Sequence, residues 1–214
     1  MCFSPEISFA AGGIISIIGI FTLYKARAHK GLLFAFIPLL FASQQFVEGM
    51  LWLNLLENGS TQQRYWLTNI FNDYAFIVWP IVAPLSIFML EEDKDRRNIL
   101  KVIIVMGMAT AFYAIKVLRS SGITPEIINH CIKYIYPAPQ PIYAKYWYIA
   151  VTCLPFFLST QTRIRWLGLV NIITFVVAYY TYNLAYISVW CFFAAVTSGL
   201  IYFYFRKVAK DSII

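Results

Sequence analysis

Apolar and polar positions are distributed along the chain in blocks. Runs of roughly 20 predominantly apolar residues, the length that crosses a bilayer as a helix, recur seven times. They lie at 7–24, 31–53, 67–90, 99–118, 142–158, 166–182 and 184–205. The pattern predicts seven transmembrane helices in an all-α, polytopic membrane protein forming one domain over residues 1–214. The last two runs are separated around Tyr182 and Asn183. Fusing them would need one helix of about 40 residues, far beyond the bilayer thickness. Pro38, Pro80, Pro84 and Pro155 fall inside runs and predict kinks.

The chain enters the first run through MCFSPEISF. No basic segment comes before the apolar stretch and no small-residue cleavage site closes it, so a retained span is expected rather than a removable signal. Ser4-Pro5-Glu6 reads as a helix start, with a hydroxyl N-cap, a proline that needs no N–H, and an acid in the first turn.

Composition agrees with the blocks. Of 214 residues 60% are hydrophobic and only 13% charged, against about 25% charged in a soluble domain; the mean hydropathy is +0.67. The lipid bilayer is therefore the first partner. The net charge of +7 is assigned to orientation and headgroup contact, not to nucleic acid. Twelve of the 17 basic residues fall in the first, third and fifth connections and the C-terminal tail, and five on the other side. The positive-inside rule then puts the N-terminus outside and the C-terminus in the cytoplasm.

The longest external connection, 119–141, contains TPEIINHCIKYIY. Thr124 and Pro125 read as a helix start, and Ile127, Ile128, Cys131, Ile132 and Ile135 fall on one helical face, predicting a short interfacial helix. Trp52, Trp66, Tyr146, Trp147 and Tyr148 fit an outer aromatic belt.

Two acids lie inside predicted spans, Glu48 and Asp73. A carboxylate at the centre of a membrane helix costs about 2.5–3.5 kcal/mol, so it faces a cavity or a partner. Counted at about 1.5 Å per residue the two reach similar depth, in the outer third of the membrane. Gln44 and Gln45 share a face with Glu48, and Asn69 and Asn72 accompany Asp73. Together with Ser4 these residues outline a polar, outward-facing pocket between spans two and three. The plainer alternative is interhelical hydrogen bonding.

Cys2 and Cys131 are both external in this topology, and a disulfide between them is one use. A second is metal: Cys2, Glu48, Asp73 and His130 form a ligand set suited to Zn²⁺ or another divalent cation, although no H-x-x-x-H or C-x-x-C spacing supports it. A third is nucleophilic, with Cys2, Glu48 and Asp73 as the catalytic candidates. Cys153 and Cys191 read as packing residues.

MCFSPEISF, QQFVEGMLW, VWPIVAPL and SVWCFFAA together resemble an uncharacterised family of bacterial seven-helix membrane proteins of unknown function. The resemblance implies a multi-pass protein of the bacterial inner membrane and carries no activity. The layout is also similar to that of the ceramidase and progestin-receptor-like hydrolases, but the histidine pair that holds their zinc is missing from the last span.

The expectation is an integral membrane protein binding a cation or small polar ligand, as a transporter or sensor, with Glu48 as charge centre and Asp73 as its partner. The alternatives are a metal- or cysteine-dependent intramembrane hydrolase acting on lipid or peptide, and a structural partner subunit.

Overall fold

The computed structural model describes residues 4–27, 29–120, 122–136 and 142–211. Its elements are α1 (Pro5–Ala26), α2 (Leu32–Leu56), α3 (Thr61–Asp73), a π-helical turn (Tyr74–Val78), α4 (Trp79–Leu90), α5 (Lys94–Ser120), β1 (Thr124–Ile128), β2 (Cys131–Ile135), α6 (Ile142–Leu158), α7 (Thr162–Thr181), α8 (Tyr186–Ser198) and α9 (Leu200–Asp211). The segment from α3 through the π turn to α4 is one rod, and α8 continues into α9 past Gly199. The described helices therefore form seven rods. Six of them are long and apolar enough to cross a membrane; α6, at 17 residues, is the shorter one. The break predicted near Tyr182 is present, between the end of α7 and the start of α8.

α1 begins as its sequence dictates. Ser4 is extended, its Oγ accepts from the Ile7 N–H, and Pro5 occupies the first turn. Its buried stripe includes Ser8, Gly12, Gly19 and Thr22, small residues that bring the backbone close to α2. A Cβ on Gly19 would stand 2.7 Å from the Leu39 side chain.

α2 is the central rod, with Phe34, Ala35, Gln44, Gln45 and Leu51 all fully buried, and it contacts α1, α3, α4, α8 and α9. Outward faces stay apolar: Phe112 is 75% and Tyr180 79% exposed, as expected of surface that meets lipid rather than water.

The rod from α3 to α4 carries the irregular backbone. Pro80 and Pro84 bring no N–H to the helix ladder, and the π turn sits directly before them. The Ala75 carbonyl takes its hydrogen bond from Tyr148 Oη on α6 instead. Gly107 of α5 packs against the Pro80 carbonyl so closely that any side chain there would collide with it.

Residues 124–135 do not form the interfacial helix expected from their apolar spacing. They form an antiparallel hairpin, with Thr124 opposite Ile135 and Ile128 opposite Cys131. Asn129 and His130 make the two-residue turn, at φ 50° and 58°. Both central residues at positive φ define a type I′ turn, whose twist suits a hairpin, and asparagine tolerates that conformation. The isoleucine-rich flanks are also better strand than helix formers.

Candidate functional site

The hairpin closes one end of the bundle. Tyr134 stacks on Phe71 of α3 with ring centroids 4.8 Å apart, and Tyr136 Oη donates to Asn72 Oδ1 at 2.6 Å. Cys131 is disulfide-bonded, whereas Cys153 and Cys191 are free thiols. Cys2 lies outside the described residues. Burial raises the Tyr134 phenol well above its ordinary range, with the Glu48 charge adding to the effect; burial does the same for Tyr136. Both remain neutral phenols.

Beneath the hairpin is a cavity of about 400 Å³, within the range of small-molecule sites. Eight aromatic side chains line it, among them Tyr134, Tyr136, Tyr148, Tyr186 and Trp190. Tyr113 and Leu184, both exposed, mark where it meets the surface, and Lys133 and Lys145 lie along it. The Lys145 ammonium rests 4.0 Å from the centroid of the Tyr179 ring.

Glu48 stands behind the wall of this cavity. It is 2% exposed and accepts a hydrogen bond from Ser188 Oγ of α8 and a longer one from Gln45 Nε2 at 3.5 Å. It interacts electrostatically with Tyr134 and Cys191, two residues that line the cavity. Gln44 Oε1 accepts from Trp79 Nε1 at 2.9 Å. Gln45 Oε1 and Tyr134 Oη are buried without a hydrogen-bond partner among the described residues.

The second predicted carboxylate is engaged elsewhere. Asp73 pairs with Arg119 of α5 at 2.7 Å, and the same guanidinium donates to Asn69 Oδ1 at 3.2 Å. Asn69 and Asn72 turn their amide N–H groups onto Tyr65 and Thr68 carbonyls of their own helix. Thus Gln44, Gln45 and Glu48 gather with α8, while Asn69, Asn72 and Asp73 tie α3 to α5 and the hairpin. Ser4 is spent as the cap of α1. His130 is exposed at the hairpin tip, and no group of three His, Cys, Asp or Glu side chains among the described residues could hold a metal ion.

Two residues assigned to the aromatic belt sit differently. Trp52 is buried at 3% exposure, and Tyr148 lines the cavity. Trp66, Tyr146 and Trp147 are exposed as a belt requires. The candidate site read from the sequence left out Tyr134, Tyr136, Ser188 and Trp190, although the last two stand in the quoted SVWCFFAA. The alternation of Tyr134 and Tyr136 in KYIY was the available signal, since period two places both on one face of a strand.

Fold and cavity together define a multi-pass helical membrane protein with an aromatic-lined chamber at one end. A family model described as a family of unknown function (DUF6629) matches residues 1–213, and the chain belongs to that family. No curated protein and no solved structure matches it.

Proposed function

We propose that the chain crosses the bacterial inner membrane seven times, with its N-terminus and the hairpin outside, and binds a small ligand in the chamber under the hairpin. The twelve-to-five split of basic residues supports the orientation. So does the disulfide at Cys131, because such bonds persist on the oxidising side of a membrane. A reporter fused after the last residue should behave as cytoplasmic and one inserted near Gly59 as external; the opposite result would reverse the assignment.

The ligand this chamber suits is a small organic cation with an apolar body. The observation that carries the reading is the tyrosine- and tryptophan-lined cavity backed by a buried carboxylate and an unpartnered phenol. Aromatic faces attract ammonium groups, and the chain's own Lys145 already lies on one. Glu48 supplies the charge centre and Tyr134 Oη a hydrogen-bond partner.

Phenyltrimethylammonium tests this with the protein in lipid nanodiscs. It should raise the melting temperature of the wild type and do so less in Glu48→Gln, where shape is kept and charge removed. An equal response from Glu48→Gln would remove Glu48 from the site. Stabilisation by benzoate instead would assign the chamber to an anion held by Lys133 and Lys145.

A further inference from the structure

A second, smaller cavity of about 80 Å³, itself partly open at its side, lies farther from the hairpin and so deeper along the helix axes. It shares three residues with the chamber: Tyr148, Trp190 and Cys191. The two are stacked, and each contributing helix reports the same order. On α6 the chamber reaches from Ala144 to Ile149, and the deeper cavity from Tyr148 to Phe156. On α8 and α9 the chamber ends at Cys191, where the deeper cavity continues from Trp190 to Ile201. Phe175 of α7 lines the chamber, and Asn171 and Leu167, earlier on that helix, line the deeper cavity. From Trp190 to Ile201 the helix rises roughly 16 Å, half of a bilayer core.

We propose that these cavities are the two halves of one passage through the bundle, closed at its middle by Tyr148 and Trp190, and that the protein is a carrier for the solute its chamber binds. The two rings meet edge to face at 5.8 Å. Each is held by a different neighbour. Tyr148 Oη donates to the Ala75 carbonyl in the π turn, and Trp190 Nε1 donates to the backbone and side-chain oxygens of Asn171 on α7. A shift of either rod therefore moves one ring off the other. Beyond the deeper cavity the far end is plugged. Phe34 contacts Phe156, Tyr204 and Phe205, and the Glu91 carboxylate bridges to Thr160 in the adjoining connection. This arrangement fits one state of an alternating-access cycle, with the hairpin end holding the larger chamber. The passage stands on the cavities and not on the ligand's charge; it rests on the binding reading only for the kind of solute carried.

Thiol accessibility tests it. In a Cys153→Ala, Cys191→Ala background that keeps Cys131, a single cysteine is placed at Ala144 in the chamber or at Thr197 in the deeper cavity. A membrane-impermeant methanethiosulfonate reagent is then applied separately to each face of oriented vesicles. Ala144→Cys should react from the hairpin face. Thr197→Cys should resist from that face and become reactive when Trp190→Ala opens the middle, with Trp190→Phe as the milder variant should the alanine fail to fold. Thr197→Cys that stays unreactive from both faces, with either substitution and while Ala144→Cys reacts, would overturn the passage and leave a sealed packing void. Loss of phenyltrimethylammonium binding with this labelling pattern intact would instead fault the ligand assignment alone.

Discussion

Glu48 and Gly107 are the residues on which single atoms decide most. Removing Ser188 Oγ leaves the Glu48 carboxyl with Gln45 as its remaining hydrogen-bond partner. Ser188→Ala is expected to cost about 1–3 kcal/mol, the penalty of stranding a buried polar group, measured as a lowered melting temperature in detergent; Ser188→Thr should recover part of it. A Ser188→Ala variant that melts like the wild type would mean the carboxyl finds other partners. Gly107 answers to geometry instead. Its missing side chain lets α5 approach the Pro80 carbonyl, which Pro84 cannot bond. Gly107→Ala should destabilise by at least the 1–3 kcal/mol typical of overpacking, and an unchanged melt would show that the rods part without cost.

At the scale of the element, the hairpin is where sequence reading and structure diverge. Helical rods were legible because 20-residue apolar runs have one outcome in a bilayer. A 12-residue stretch, too short to span a bilayer, has no such constraint, and its isoleucines satisfy a helical face as readily as a strand. The Asn129-His130 turn decided between them through backbone chirality that composition does not display. The site divided in the same way. Glu48 with its two glutamines was visible as charge out of place, whereas its partners Ser188 and Tyr134 lie far along the chain and look ordinary where they stand. For the turn, His130→Gly should hold or raise the melting temperature, since glycine accepts positive φ freely. His130→Val should lower it, since a β-branched side chain tolerates positive φ less well than histidine does. Identical melts would show that the turn's handedness is immaterial. The Cys2–Cys131 disulfide, one of the uses the sequence leaves open, is checked by a cross-linked peptide in a digest made without reductant; a linkage between two copies of the Cys131 peptide would refute it.

Across the whole molecule, the end opposite the hairpin is held by connections rather than by packing alone. Burial pushes the Glu91 carboxyl upward, but the N–H groups of Thr160, Asp93 and Glu92 and the Thr160 hydroxyl outweigh it, holding the group below its ordinary range. Arg96 and Arg97 bind carbonyls of Leu158, Phe88 and Glu91 across the same junction. A depressed folded-state value contributes stability that is complete above the unfolded glutamate pKa, about 4.3, and is lost as pH falls through the lower folded value. Glu91→Gln should therefore melt earlier at neutral pH and show a flatter acid limb. Parallel acid limbs for the two proteins would dissociate the junction from pH stability.

The bond between Ser188 and Glu48 also sets a clock. The two residues are 140 positions apart, and a ribosome adding about 5–20 residues each second needs on the order of 7–28 seconds to cover that interval. For most of that time α2 has left the tunnel while the helix bearing its hydroxyl partner does not yet exist. The carboxyl must spend the wait protonated, beside the insertion machinery, or in the aqueous margin. Chains truncated before α8 should therefore be cleared by membrane proteases faster than full-length chains, and Glu48→Leu, which needs no partner, should prolong the lifetime of the truncated form.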